Sequence, residues 1–220
     1  MQLRGFYVGM LGLLMAAIPA SQATASRAGL SLKATTLGAG ADLTLDLGRH
    51  LNARAGVNYG RFNVDITLDE ADITGGLRWL TVPVLLDYHP AGGGFRFSLG
   101  AMVNDNHVAL TADAKEPLKL QGVEYSIDRL EGGIDFNRLA PYFGIGYGNV
   151  TGGGRLHFAF DMGVMYHGRP KVWARAESSL PPVLEAEMNR ALQEEVDELQ
   201  QDLSGYRYYP VISMGFSIAF

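Results

Sequence analysis

The sequence predicts an all-β protein: an antiparallel up-and-down transmembrane β-barrel of about eight strands, with one amphipathic acidic helix in a long loop. Two observations support this fold class. Apolar residues alternate with polar or very small ones along seven segments, and short turns rich in Gly or Pro alternate with long connections. The composition agrees, with 28 Gly among 220 residues. The absence of Cys excludes disulfides, zinc-thiolate sites and thiol nucleophiles.

Residues 1–23 are expected to form a cleaved signal peptide. Arg4 supplies the positive start, Val8 to Pro19 forms the apolar stretch, and small residues precede cleavage after Ala23 or Ala25. A membrane-anchoring helix is the alternative, but this stretch is shorter than the roughly 20 residues that span a bilayer. We therefore expect an exported protein in which residues 24–220 form a single barrel domain.

Seven segments alternate with period two, which sends successive side chains to opposite faces of a strand. The sequence offers two positions for an eighth strand. The alternation that begins at Leu30 reverses its phase between Thr36 and Leu37, which indicates either a β-bulge or a turn. Val123 to Ile127 is the alternative eighth strand. The seven segments are Leu37 to Asp46, Leu51 to Gly60, Trp79 to Tyr88, Phe95 to Asn104, Tyr142 to Gly148, Leu156 to His167 and Tyr208 to Phe220.

A soluble β-sandwich or a lipocalin could also use alternating strands, with the apolar face buried inside. The residues favour the inverse arrangement, in which apolar side chains face lipid. Several strands reach the roughly 9–11 residues that cross a bilayer at a tilt. The polar face carries charges of both signs among many glycines, which suits a crowded lumen. The aromatic residues near the strand ends suit interfacial girdles: Tyr59, Tyr88, Phe95, Tyr147, Tyr166, Tyr208 and Phe220.

Short and long connections alternate along the chain. Tight turns are predicted at Gly48 to His50, Pro90 to Gly94 and Val150 to Gly154. Longer links are predicted at residues 69–76, 111–139 and 171–205. Short turns at one end of the barrel and long loops at the other are the arrangement of bacterial outer-membrane barrels.

The C-terminal segment carries a more specific signal. From Tyr208 the chain places apolar residues at every second position and ends on Phe220, so that Phe216, Ile218 and Phe220 share one face. This pattern resembles the assembly signal of the small bacterial outer-membrane β-barrels of the eight-stranded class, the group of the OmpA-, OmpX- and OmpW-type barrels. The resemblance implies an outer-membrane location, assembly by the barrel-assembly machinery, and contact with outer-membrane lipid. Lipopolysaccharide is a further expected partner, through divalent cations that bridge its phosphates to acidic residues of the chain.

The last long link contains a predicted helix, at about residues 181–204. Apolar residues recur there every three or four positions from Leu184 to Leu203, and Pro181 and Gly205 bound the segment. Residues 177–202 hold eight acidic and one basic residue, a net charge of −7, whereas the whole chain carries −5. The helix is expected to pack its apolar stripe on the barrel rim, to plug the lumen, or to bind divalent cations or a basic partner. The candidates for that binding are Glu185, Glu187, Glu194, Glu195, Asp197 and Glu198.

The inward face of the predicted barrel supplies the remaining candidates. Charges of both signs in a small barrel favour a salt-bridged filling, although the intervening glycines leave room for a solute path or a ligand pocket. The predicted lumen-lining residues are Asp42, Asp46, Arg54, Arg78, Asp87, Arg96, His157 and Asp161.

No nucleophile elbow, nucleotide fingerprint or metal-ligand spacing stands out in the sequence, so no cofactor, metal or catalytic residue is assigned. The weak charge, with 18 basic against 23 acidic residues, also argues against nucleic acid. We expect a non-enzymatic structural or adhesive envelope protein that presents acidic outer loops. A narrow passive channel for small solutes is the first alternative, and a lipid hydrolase using His107 at the rim is the second.

Overall fold

The computed structural model describes residues 28–67, 71–114, 117–120, 122–149 and 156–220. The predicted signal peptide, residues 1–23, lies outside the described residues, as does the turn predicted at 150–154. The strands, numbered along the chain, are β1 Ala28–Thr35, β2 Gly38–Gly48, β3 Leu51–Thr67, β4 Ala71–Tyr88, β5 Phe95–Asn104, β6 His107–Ala114, β7 Leu118–Leu120, β8 Val123–Tyr125, β9 Arg129–Asp135, β10 Leu139–Tyr147, β11 Leu156–Tyr166, β12 Lys171–Glu177 and β13 Tyr208–Ala219.

Eight of these strands close into an antiparallel barrel, as the sequence predicts. Their order around the barrel is β1, β2, β3, β4, β5, β10, β11 and β13, and β13 pairs with β1 to complete the circle. The chain leaves the barrel between β5 and β10 and again between β11 and β13. Residues 28, 48–51, 89–94 and 220 share one end of the barrel, which we call the turn end, and the long connections lie at the opposite, loop end.

The period-two pattern places apolar side chains on the outside of the barrel. Leu32, Leu99 and Phe143 are between 55% and 66% exposed in the isolated chain. Their immediate neighbours Ser31, Ser98 and Tyr142 point inward and are buried. This is the inverse of a soluble barrel, and it matches the predicted alternation of lipid-facing and lumen-facing residues.

The phase reversal near Leu37 is a turn between two strands, so β1 is the eighth strand of the barrel. Gly38 follows this turn with φ of +99°, and a Cβ added there would lie 2.1 Å from the Tyr59 carbonyl oxygen. The position therefore needs Gly both for its conformation and for the close approach of β3. The alternative strand at residues 123–127 lies outside the barrel, where β8 pairs with β7 in a separate hairpin.

Much of the predicted long loops is β-sheet. The loop-end halves of β3 and β4 continue beyond the barrel, and β6, β9 and β12 extend the sheet in the order β3, β4, β6, β9, β12. We call this extension the projecting sheet. The predicted links at 69–76, 111–139 and 171–205 missed these strands, because short alternating segments between glycines and charges resemble loops in sequence.

Helix α1, Pro182–Asp202, lies within the predicted helical segment, and a short 3-10 turn at Leu203–Gly205 ends it. Its buried residues Met188 and Leu192 pack on one face of the projecting sheet rather than in the barrel lumen. Gln200 fixes the helix to the sheet edge by accepting a hydrogen bond from the Val172 backbone N–H at 3.0 Å. Among the described residues, no helix is both long and apolar enough to cross a membrane.

Candidate functional site

The turn-end half of the lumen is filled by a network of charged side chains centred on Arg54. This guanidinium donates from Nη1 to Asp161 Oδ2 at 3.1 Å and from Nη2 to Asp87 Oδ1 at 3.0 Å. It also donates to Ser98 Oγ, which in turn donates to Asp87 Oδ1 at 2.6 Å. Arg54 is only 6% exposed, so its charge is held by these partners rather than by water.

Two further cations complete the network. Arg96 Nη2 donates to Asp161 Oδ1 at 2.8 Å, and its Nη1 donates to the Gly148 carbonyl. Lys33 Nζ donates to Asp42 Oδ2 at 2.6 Å, and Asp42 lies 3.6 Å from Arg54 Nη1. The network thus contains three basic and three acidic groups and is neutral, as burial of charge requires.

The loop-end half of the lumen is closed by an apolar cluster. Tyr142 is 3% exposed, and its ring occupies the space left by two glycines on the lumen face: a Cβ on Gly144 or Gly163 would lie 2.4 Å from its hydroxyl oxygen. The glycines therefore make room for a side chain rather than for a solute path. The cluster consists of Leu37, Leu85, Met102, Ala140, Tyr142, Met165 and Val211, with Trp79 and Tyr209 packed against it.

The space left in and next to the charged network is small. One cavity of about 20 Å³ lies within the charged network, and another of about 10 Å³ lies between the network and the apolar cluster. A cavity needs roughly 10–15 Å³ to hold one water molecule. The lumen is therefore filled with side chains, with space for about one water molecule at each of these two points.

The structure brings five of the eight predicted lumen residues into this network: Asp42, Arg54, Asp87, Arg96 and Asp161. Asp46 is half-buried at the turn end, where its Oδ1 accepts a hydrogen bond from the Gly48 backbone N–H at 2.8 Å. His157 is half-buried on the lumen side of β11, four residues from Asp161.

Arg78 departs from the prediction and lies outside the lumen. It is on the projecting sheet, where its Nη2 donates to Asp105 Oδ2 at 2.6 Å with both side chains about half exposed. Its side chain follows the outward rather than the inward alternation of β4, on the same face as Leu80 and Val82.

The apolar cluster could have been detected in the sequence. Leu85, Met102, Tyr142, Met165 and Val211 are apolar or aromatic residues on the otherwise polar faces of five different strands. Pairing of these strands brings the five residues to one level of the barrel, which the sequence alone does not show. Exceptions to the alternation on several strands were the signal for a lumen plug.

The acidic helix places its carboxylates toward solvent. Glu185, Glu187, Glu194, Asp197 and Glu198 are exposed and Glu195 is half-buried. Gln193 Nε2 donates to Asp197 Oδ1 at 2.9 Å. Within the described part of the chain, no group of three or more acidic, His or Cys residues is arranged to hold a metal ion.

A groove of about 810 Å³ lies on the outside of the barrel, where β4 and β5 separate and the projecting sheet begins. His107 lies on its wall, with its Nδ1 2.6 Å from Asp135 Oδ1 and its ring stacked on Trp173 at a centroid distance of 6.4 Å. The described residues lining the groove include no Ser, Thr or Cys. A His–Asp pair is thus present without an adjacent hydroxyl or thiol nucleophile in the lining.

Two buried histidines lie at opposite ends of the barrel. In the turn after β4, His89 Nδ1 lies 2.9 Å from the Gly93 carbonyl oxygen, and its Nε2 lies 3.1 Å from Asn52 Nδ2. The carbonyl can only accept, so Nδ1 donates to it and Nε2 accepts from the Asn52 amide. Burial lowers the pKa of His89, and burial also lowers that of His167 after β11. Burial thus favours the neutral imidazole at both positions.

An eight-stranded closed antiparallel barrel with outward apolar faces and a lumen filled by side chains belongs to the fold class of the small outer-membrane barrels. No protein-family model matches the sequence, and no curated protein is recognisably similar to it. Two solved structures of Acinetobacter baumannii outer-membrane proteins share the fold. The chain is 19% identical to CarO, with a TM-score of 0.56 and coverage of 87% of this chain and 97% of CarO. It is 17% identical to CarO2, with a TM-score of 0.59 and coverage of 89% and 99%.

Proposed function

We propose that the protein is an integral outer-membrane barrel that acts as a non-enzymatic structural or adhesive envelope protein, with its projecting sheet and acidic helix outside the cell. The observation that carries this proposal is the filled lumen. A neutral ion-pair network and an apolar cluster occupy its two halves, which supports a barrel that does not conduct solutes. The function then belongs to the surfaces at the loop end.

The projecting sheet offers a surface for adhesion. On the face that continues the lumen side of β4, helix α1 covers the part formed by β9 and β12. The opposite part of this face is apolar and uncovered in the described structure. We call this part the apolar strip, and it consists of Phe62, Val64, Ile66, Leu77 and Leu110, each between 36% and 57% exposed. Exposed apolar patches of this kind mark interaction sites.

The edge of the projecting sheet next to the apolar strip is also open. Pairing of β2 with β3 stops at Ala39 and Tyr59. Residues 60–67 of β3 therefore pair with β4 on one side, and no described strand pairs with them on the other. Unpaired edge strands bind other strands or surfaces. By contrast, Gln200 of the helix covers part of the β12 edge.

Adherence of cells to polystyrene tests the adhesive role. Cells that display the protein are compared with cells that display a strip variant with Phe62→Ser, Val64→Thr and Ile66→Thr. Thr retains the strand propensity of Val and Ile while removing apolar surface. The matched control is Asn63→Ser with Asp65→Asn, on the opposite face of the same strand. We expect the strip variant to adhere no more than cells without the protein and the control to adhere like wild type. Equal adherence of the two variants would contradict the proposal.

The channel alternative requires movement of the filling. A solute would have to displace Arg54 and Arg96 from their carboxylates and the Tyr142 ring from the space above Gly144 and Gly163. The polar, charged turn-end half of the lumen supports this alternative, because porin lumens are also polar. The tightly packed apolar cluster in the loop-end half argues against it.

A further inference from the structure

The groove outside the barrel has the chemistry of a binding site for a phosphate-bearing lipid. We call it the arginine groove. Its polar part contains Arg61, Arg78 and Arg138, and its apolar part contains Leu80, Val82 and Val103. It is separate from the filled lumen and from the apolar strip, which lies on the other face of the projecting sheet.

Cationic groups outnumber their acidic partners in the arginine groove. Arg61 and Arg78 are directly opposite each other on β3 and β4, and a like-charge pair in this position destabilises a sheet. Asp105 pairs with Arg78 at 2.6 Å. Arg61 Nε donates a hydrogen bond to Asn63 Oδ1 at 3.4 Å, and Arg138 is exposed without a described carboxylate in ion-pair distance. The other acid of the lining is Asp135, whose Oδ1 lies 2.6 Å from His107 Nδ1.

The apolar part of the groove continues the outer surface of the barrel. Val82 and Val103 are about 40% exposed and follow the outward alternation of β4 and β5. Leu80 pairs across strands with Tyr59, whose ring is 51% exposed near the loop end of the barrel. Aromatic residues at this height mark the boundary between the hydrocarbon and the headgroups. The guanidinium groups thus lie on the headgroup side of the boundary and the valines on the hydrocarbon side.

We propose that the arginine groove binds the phosphorylated headgroup of an outer-leaflet lipid. Arg61 and Arg138 pair with a phosphate, and an acyl chain lies along Leu80, Val82 and Val103. Guanidinium groups suit this ligand because they bind phosphate with two parallel hydrogen bonds. A groove of about 810 Å³ accommodates such a headgroup. The inference depends on the proposed outer-membrane location and is independent of the adhesive role.

The test measures binding of lipids to the full protein in a maltoside detergent free of phosphate, by native mass spectrometry. The probes are diphosphoryl lipid A, the same lipid with its phosphates removed, and inorganic pyrophosphate. The variant is Arg61→Gln with Arg138→Gln. The matched control, Arg175→Gln with Arg190→Gln, makes the same charge change at residues that do not line the groove. Heat-dependent gel mobility verifies that each protein is folded.

We expect diphosphoryl lipid A to bind wild type and the control alike, and the Arg61 and Arg138 variant to lose about tenfold or more in affinity. Removal of the phosphates should weaken binding to wild type by a similar factor. Equal loss in the two variants would overturn the proposal, and so would equal binding of the dephosphorylated lipid. Pyrophosphate that competes as strongly as lipid A would show a free-phosphate site and overturn the assignment to a lipid. A protein that adheres normally but fails this test would leave the adhesive role standing.

Discussion

At the residue scale, Arg54 contributes the most to the filled lumen because it contacts three carboxylates on three other strands. Asp42, Asp87 and Asp161 lie on β2, β4 and β11, so the guanidinium links distant parts of the barrel. The glycines around this network have a matching role: a Cβ on Gly56 would lie 2.0 Å from Asp42 Oδ1. Small residues on one strand leave the volume that a charged side chain on its neighbour fills.

Replacing Arg54 by Ala should strongly destabilise the barrel. The change leaves three buried carboxylates short of positive charge, and removing one partner of a buried ion pair costs about 3–5 kcal/mol. The matched control is Arg129→Ala, because Arg129 is 44% exposed in its pair with Asp113 and such a surface pair contributes about 1 kcal/mol or less. Urea unfolding in lipid vesicles, followed by heat-dependent gel mobility, measures both. Equal losses of unfolding free energy in the two variants would show that the network does not stabilise the barrel.

His89 gives the barrel a dependence on pH. Its ordinary pKa is 6.5, and burial lowers the pKa in the folded protein. As the pH falls below about 6.5, the unfolded chain takes up the proton first, so the free energy of unfolding decreases toward the folded pKa. Well above pH 6.5, His89 is neutral in both the folded and the unfolded chain, and it no longer changes the free energy of unfolding with pH. Protonation would also place the Nε2 proton against the Asn52 amide group.

The variant His89→Gln tests this dependence in unfolding measurements at pH 7.5 and 5.5. The loss of unfolding free energy between the two pH values should be smaller in the variant than in wild type. His167 contributes a loss of the same sign, so a part of the dependence should remain in His89→Gln and disappear when His167→Gln is added. A loss in His89→Gln as large as in wild type would contradict the assignment.

At the element scale, the positions of the strands are easier to predict from the sequence than the pairing of one strand with another. The alternation from Leu37 to Phe220 identifies seven strands because lipid outside and side chains inside impose opposite requirements on successive residues. Strands β6, β9 and β12 alternate as well, for example Val108, Leu110 and Ala112 against Thr111 and Asp113. The sequence nevertheless predicts loops there, because the three strands are short and their pairing joins segments far apart in sequence.

Met188 and Leu192 are the two buried residues of helix α1, so docking of the helix on the projecting sheet should be sensitive to substitution of either one. Met188 is completely buried there, and Met188→Ala should weaken the docking by about 2 kcal/mol through lost contacts and a residual cavity. The control is Leu184→Ala on the same helix, where the side chain is 44% exposed.

Limited digestion with trypsin measures the docking through cleavage after Arg190, within the helix. The rate should rise roughly 30-fold in Met188→Ala, as the population of undocked helix follows the free energy. It should change little in Leu184→Ala, and the barrel should remain folded in both. An unchanged cleavage rate in Met188→Ala would contradict docking through this residue.

At the scale of the whole molecule, charge is divided by location. The lumen network is neutral, whereas residues 177–202 carry a net charge of −7, more than the −5 of the entire chain. The sequence therefore predicted which segment is acidic and which residues could fill the lumen. It could not show that the helix lies on the projecting sheet instead of in the lumen, because that depends on Tyr142, Met165 and their neighbours already occupying the space. Nor did it show the arginine groove, which forms where β5 leaves β4.

The most direct test of the central claim, that side chains fill the lumen, is the single-channel conductance of the refolded protein in a planar bilayer. A variant without residues 182–205 is measured beside it, with a 16-stranded porin as positive control. We expect no steady openings in wild type and none in the deletion variant, because the filling belongs to the barrel strands rather than to the helix. Steady openings in wild type would contradict the filled lumen, and openings that appear after the deletion would show that helix α1 closes the barrel.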